Sequence, residues 1–216
     1  MRKILWFCSL IVFALPLIAA DASWKSKPVS EWSAEDGAQV LKDSAWVQFA
    51  GVATLPVRGE AQLRDGGKMG GGGKGAGLKK LGTLPTALQV RWESAAPLHA
   101  AELKAGEKSV PNWDGDYYAI AVYGVPGITR TNEKNLQGEL RQTSLLKRRG
   151  KKDLKPERVD IALLGDNTVR ILYLFARTAE ITLEDQRVDF VSQIGRIYVG
   201  PSFNLAEMQF QGRLEL

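Results

Sequence analysis

From Thr83 to Leu216 the apolar residues recur at every second position in short runs, and this period limits the available folds more than any other feature. Leu88, Val90 and Trp92 alternate with Gln89 and Arg91. Tyr118, Ile120 and Val122 share one parity, with Ala119 and Ala121 opposite. Val159, Ile161 and Leu163 alternate with Asp160 and Ala162. Successive side chains of a strand point to opposite faces, so each run reads as a strand with one buried face. Residues 169–175 are apolar almost throughout, the pattern of a strand buried on both faces. Val188, Phe190 and Ile194, then Ile197 and Val199, then Met208, Phe210, Leu214 and Leu216 extend the series. Leu164-Gly165-Asp166-Asn167 and Ile194-Gly195-Arg196 read as hairpin turns. Helical signal is sparse, with a turn or two over residues 96–103. The expected fold is mainly β: an antiparallel β-sandwich-like domain over residues 83–216, with a short N-terminal helix packed on it.

Residues 1–22 read as a secretory signal peptide. Arg2 and Lys3 precede an apolar run from Ile4 to Leu15, Pro16 ends it, and Ala19, Ala20 and Ala22 follow. The run is too short to cross a hydrocarbon core of roughly 30 Å. Cleavage is expected after Ala22 or Ala20, placing the mature chain in the periplasm or outside the cell. Cys8 lies inside the apolar run after Trp6 and Phe7, which is the wrong place for lipid attachment. It is also the only cysteine, so the mature chain has no disulfide, thiolate nucleophile or cysteine-ligated metal and must be held by its core. The formal net charge is +5, and loss of Arg2, Lys3 and Asp21 lowers it by one. So mild an excess does not suggest nucleic acid; peripheral contact with an anionic membrane stays open.

Two zones separate the signal from the β-rich part. Residues 23–50 are expected to hold one helix over about Ala34 to Asp43, with Ser33 as N-cap and Asp36 completing an imperfect capping box. Trp24, Trp32 and Trp46 flank it and are read as anchors to the main domain, with a partner-docking segment as the alternative. Residues 51–82 contain the glycine-rich run 65–77, read as a flexible basic loop. A GxGxxG drawn through Gly70, Gly72 and Gly75 is accidental in such a run. Gly73-Lys74 is followed by Gly75 rather than Ser or Thr, so the P-loop register fails.

Chemistry-bearing motifs are few. His99 is the only histidine and has no nucleophile-elbow partner, so neither a serine triad nor a histidine metal site is expected. Asn112, Asp114 and Asp116 have the spacing that opens a calcium loop, but Tyr117 stands where its glycine belongs and Tyr123 where its glutamate belongs. Glu180, Glu184 and Asp185 read as turn residues, because neighbours on a strand cannot face each other. Arg141, Lys147, Arg148, Arg149, Lys151, Lys152, Lys155 and Arg158 form the densest basic stretch, expected on a solvated strand pair around Gly150, with an anionic contact surface as the sharper reading. Flat aromatic rings accept sugar faces, so Trp113, Tyr117, Tyr118 and Tyr123 are the best binding candidates. The candidate ligand-binding residues are therefore Trp113, Tyr117, Tyr118, Lys151 and Lys152. No catalytic residue, metal or cofactor is expected.

Several stretches resemble uncharacterised secreted proteins of acidobacterial type. They are Lys27-Pro28-Val29-Ser30-Glu31-Trp32, Glu35-Asp36 through Leu41-Lys42-Asp43-Ser44-Ala45-Trp46, Val90-Arg91-Trp92-Glu93-Ser94-Ala95, and the ending Met208 to Leu216. Ala45 stands where similar chains often have Pro. The resemblance implies export and a single domain and brings no activity with it. The leading functional expectation is an exported, non-catalytic binding module for a polysaccharide or a cell-envelope protein. The alternatives are a hydrolase whose carboxylates the fold brings together and a structural or assembly component of the envelope.

Overall fold

The computed structural model describes residues 22–54, 87–126, 133–165 and 167–216. Residues 1–21 of the expected signal peptide, the glycine-rich run and Asp166 lie outside them. The described chain is mainly β, with antiparallel sheets and three α-helices. The first sheet has the order β1 (Val47–Gly51), β3 (Ala87–Trp92), β4 (Tyr117–Pro126), β7 (Thr168–Ala176), β6 (Arg158–Leu163). The second is built around β8 (Arg187–Ile194). Strand β9 (Ile197–Val199) and β10 (Ser202–Asn204) continue one another along one edge of β8, and β5 (Leu145–Arg148) pairs with the other. Strand β2 (Ala53–Thr54) pairs outside β9. A hairpin of β11 (Gln209–Phe210) and β12 (Arg213–Leu214) ends the chain.

The two sheets face each other across a common core, as the period of two predicts. Trp92 of β3 meets Phe203 of β10 at 5.1 Å between ring centroids, and Tyr173 of β7 meets Phe190 of β8 at 5.1 Å. All residues from Val169 to Phe175 are buried, so β7 is covered on both faces. Hairpin turns fall at Ile194–Ile197, with Gly195 at φ +59°, and between β6 and β7, where Leu164 N–H donates to Thr168 O at 2.8 Å. The alternation over residues 208–216 is not one strand. Gln211 and Gly212 both take positive φ, 50° and 78°, and fold it into a tight hairpin that pairs Phe210 with Arg213 and Leu214 with Gln209, so the alternation breaks at the turn: Phe210 is buried and Leu214 only half-buried.

Helix α1 (Ala34–Lys42) starts as a complete capping box. Asp36 N–H donates to Ser33 Oγ at 3.1 Å, and Ser33 N–H donates to Asp36 Oδ2 at 3.0 Å. The Ser23 hydroxyl, the Ser33 N–H and Lys27 hold the Asp36 carboxyl well below the usual carboxylate range. Trp24, Trp32 and Trp46 are buried in one aromatic cluster with Phe210, so they tie the N-terminal segment to the terminal hairpin. Trp46 Nε1 donates to Glu215 O at 2.8 Å. Residues 96–103 form more than a turn or two: α2 runs Ala96–Ala105, opened by Pro97 in its first turn and closed by Gly106 at φ +70°. Helices α1 and α2 pack closely because residue 37 is glycine; a Cβ there would sit 2.8 Å from Ala101 O. Helix α3 (Glu133–Thr143) precedes β5.

Candidate functional site

The outer face of the first sheet, turned away from the core, carries the candidate site. Ala119 and Ala121 of β4 pair with Leu174 and Leu172 of β7, and these four form a buried apolar floor separate from the main core. Trp113, Tyr117 and Tyr123 pack on this floor and stay partly exposed. Tyr117 and Tyr123 are there by parity with Ala119 and Ala121. Trp113 comes from the loop that follows α2. Small floor residues leave room for the rings to lie over the sheet. Tyr117 Oη reaches Glu157 Oε2 at 3.5 Å, while Tyr123 Oη donates to Glu93 Oε1 at 2.8 Å. The Arg91 guanidinium lies 4.5 Å from the centroid of the Tyr123 ring.

Not all sequence-derived candidates gather here. Tyr118 has the opposite parity and is 2% exposed in the core, edge-on to Trp92, with its hydroxyl accepting from Ile181 N–H at 2.9 Å. It is a packing residue, and Tyr123 takes its place on the strip. Lys151 and Lys152 are exposed in the turn after β5, in the second sheet. Lys151 Nζ pairs with Asp185 Oδ1 at 3.1 Å, and no described hydrogen bond, ion pair or ring contact joins either lysine to the aromatic strip. The basic stretch is also less uniform than its composition suggests. Arg148 is buried and donates to Glu180 O and Lys152 O, each at 3.1 Å, and Arg158 pairs with Asp160 at 3.0 Å. Asp185 closes the short 3-10 helix Leu183–Asp185, in keeping with a turn role. Residues 112–116 form the polar loop that enters β4.

The sequence reading missed a buried ionic network beside the strip. Glu93, just past β3, and Glu102 on α2 are 1% and 0% exposed, and their carboxyls adjoin each other, with Glu93 Oε2 and both Glu102 oxygens lacking a donor among the described residues. Arg91 donates to Glu107 Oε1 at 3.2 Å and lies 3.7 Å from Glu102 Oε1. Arg170 of β7 donates to the Ser109 carbonyl, fastening the segment after α2 across the sheet. His99 is exposed, with Nδ1 3.7 Å from Glu102 Oε2. Burial first, and the charge of Glu93 second, push the Glu102 carboxyl up to about 9. Burial raises Glu93 as well, and burial with the Glu93 charge raises the Tyr123 phenol. The signals for α2 were its Pro97 and Gly106 punctuation; nothing in the sequence places residues 93 and 102 face to face.

Two open clefts border the molecule. One, of about 730 Å³, lies around Arg177, Ile181 and Leu214; the other, of about 790 Å³, lies between the end of α1, β1 and the terminal hairpin. Neither is lined by Glu93 or Glu102. No group of three or more potential metal-ligating side chains occurs among the described residues. No described helix is long and apolar enough to cross a membrane. No protein-family model, curated protein or solved structure gives a significant match to this chain.

Proposed function

We propose that this chain is an exported, non-catalytic module that binds a glycan or glycan-bearing envelope partner through Trp113, Tyr117 and Tyr123. One observation carries the reading: three aromatic rings pack against an alanine and leucine floor on the outer face of a sheet and keep part of their surface in solvent. Flat rings offer the apolar C–H face of a sugar a stacking partner, while Glu157 and the nearby loop acids Asp114 and Asp116 offer polar groups for its hydroxyls. The buried carboxyl pair supports no hydrolytic role, since a substrate does not reach groups 1% and 0% exposed. The basic, apolar and small-residue order of residues 1–22 supports export.

The test is pull-down of the mature protein on envelope polysaccharide and anionic vesicles across a salt series. Aromatic recognition survives added salt, because contacts between exposed charges are screened beyond roughly 8 Å at physiological ionic strength. Binding is expected to fall with Trp113→Ala and to persist in a Lys151→Ala, Lys152→Ala double variant. Retained binding by the Trp113 variant together with loss at moderate salt would reject the aromatic route. An assembly role is the second reading, favoured by Phe49, which is 59% exposed on the terminal strand β1 beside the larger cleft. Failure of every glycan and vesicle to bind would put it first.

A further inference from the structure

The Glu93–Glu102 pair lies outside the apolar core and meets the aromatic strip through Tyr123, and its surroundings fix its charge. Five titratable or charged groups face it: Arg91 from β3, His99 from α2, Glu107 from the segment after α2, Tyr123 from β4 and Arg170 from β7. Arg91 and Arg170 bring two positive charges, and Glu107 brings one negative charge. One ionised carboxyl in the pair balances them. Two would leave an unmatched anion away from water, which is strongly disfavoured. The hydrogen bonding agrees. Glu93 Oε2 and both carboxyl oxygens of Glu102 are buried and receive no donor from the described residues. A proton held between the carboxyls engages two of these three oxygens.

We propose that Glu93 and Glu102 share one proton that acts as a latch, tying α2 to the end of β3 and so holding residues 106–116 on the outer face of the first sheet, and releasing them at alkaline pH. The unfolded chain loses this proton in the ordinary carboxylate range, whereas the folded chain keeps it to higher pH. Between those limits the folded state binds one proton more, so stability falls as pH rises and is level on either side. Tyr123, hydrogen-bonded to Glu93, and Trp113, carried by the released segment, feel the change directly. The latch operates whether or not the strip binds a glycan.

Three measurements on the full mature chain test this. Infrared spectroscopy at neutral pH is expected to show one carboxylic-acid C=O band in the wild type that is missing from Glu102→Gln. Urea unfolding from about pH 5 to about pH 9 is expected to show the wild-type folding constant dropping by up to about tenfold per pH unit, with this slope absent in Glu102→Gln. Amide exchange over residues 106–116, corrected for intrinsic rates, is expected to accelerate with pH in the wild type alone. A missing band in the wild type, an equal pH slope in wild type and variant, or unchanged exchange over 106–116 would each overturn the latch. Should Glu102→Gln not fold, Glu93→Gln takes its place, and the wild-type infrared band decides by itself.

Discussion

Replacement of Phe210 by alanine tests the closure of the sandwich at its N-terminal end. Phe210 is 8% exposed, with its ring 5.5 Å edge-on from Trp32 and 6.5 Å stacked on Trp24. Truncating a core phenylalanine costs about 3–5 kcal/mol, the transfer loss together with the cavity left behind. Each lost ring contact contributes about 0.5–1.5 kcal/mol within that total. Phe210 also lines the cleft beside β1, so its surroundings can relax into the space, which places the cost near the lower end, about 3 kcal/mol. With a urea slope of about 2 kcal/mol/M, the unfolding midpoint should move down by about 1.5 M. Phe49→Ala, at a site 59% exposed, is the matched control and should stay within about 0.5 kcal/mol of wild type. A Phe210→Ala change below about 0.5 kcal/mol would refute the reasoning, because it would mean that the tryptophan cluster does not close over this ring in solution.

Other perturbations have equally definite outcomes. Gly37→Ala should destabilise by about 1–3 kcal/mol in chemical unfolding, since its Cβ would meet Ala101 O at 2.8 Å and Lys104 Cβ at 3.0 Å. Gly138→Ala, on α3 with nothing within 4 Å of the added Cβ, should be neutral or stabilising by up to about 1 kcal/mol; the reverse order of the two glycine variants would contradict the helix packing. Tyr173→Phe should cost about 1–2 kcal/mol, because the Tyr173 hydroxyl lies 2.8 Å from Ser192 Oγ, which also accepts from Ser144 Oγ at 2.9 Å in a buried chain. Burial raises the Tyr173 phenol, so its ultraviolet ionisation should appear only when the protein unfolds in base.

The strands were legible because their signal is local. Val169 to Phe175 is apolar at both parities, and a strand between two layers needs nothing more to identify it. Ser33 and Asp36 announced α1 in the same way, since a capping box lies within four residues. Helix α2 was harder. Its one buried face includes Glu102 while Leu103 is exposed, so its apolar residues form no clean stripe, and only Pro97 and Gly106 mark its ends. Tyr118 illustrates the limit for the candidate site: composition puts it among the tyrosines, and one residue of parity moves it from the outer face to the core. Glu93 and Glu102 were invisible for a stronger reason. A glutamate reads as solvated unless its neighbours are known, and here they come from β3, β4, β7 and α2, whose meeting is a property of the topology.

The bond from Trp46 Nε1 to the carbonyl of Glu215 spans 169 residues, and it sets a clock on the life of the chain before it folds. At about 5–20 residues per second, synthesis needs on the order of ten to thirty seconds to travel from one partner to the other. During that interval Trp24, Trp32 and Trp46 lack Phe210 and remain apolar surface in search of cover. Contacts of such long separation also slow the final closure, towards the millisecond-to-second range of non-local β-proteins. The fold therefore keeps its leading end open, with three indoles uncovered, until its trailing end arrives.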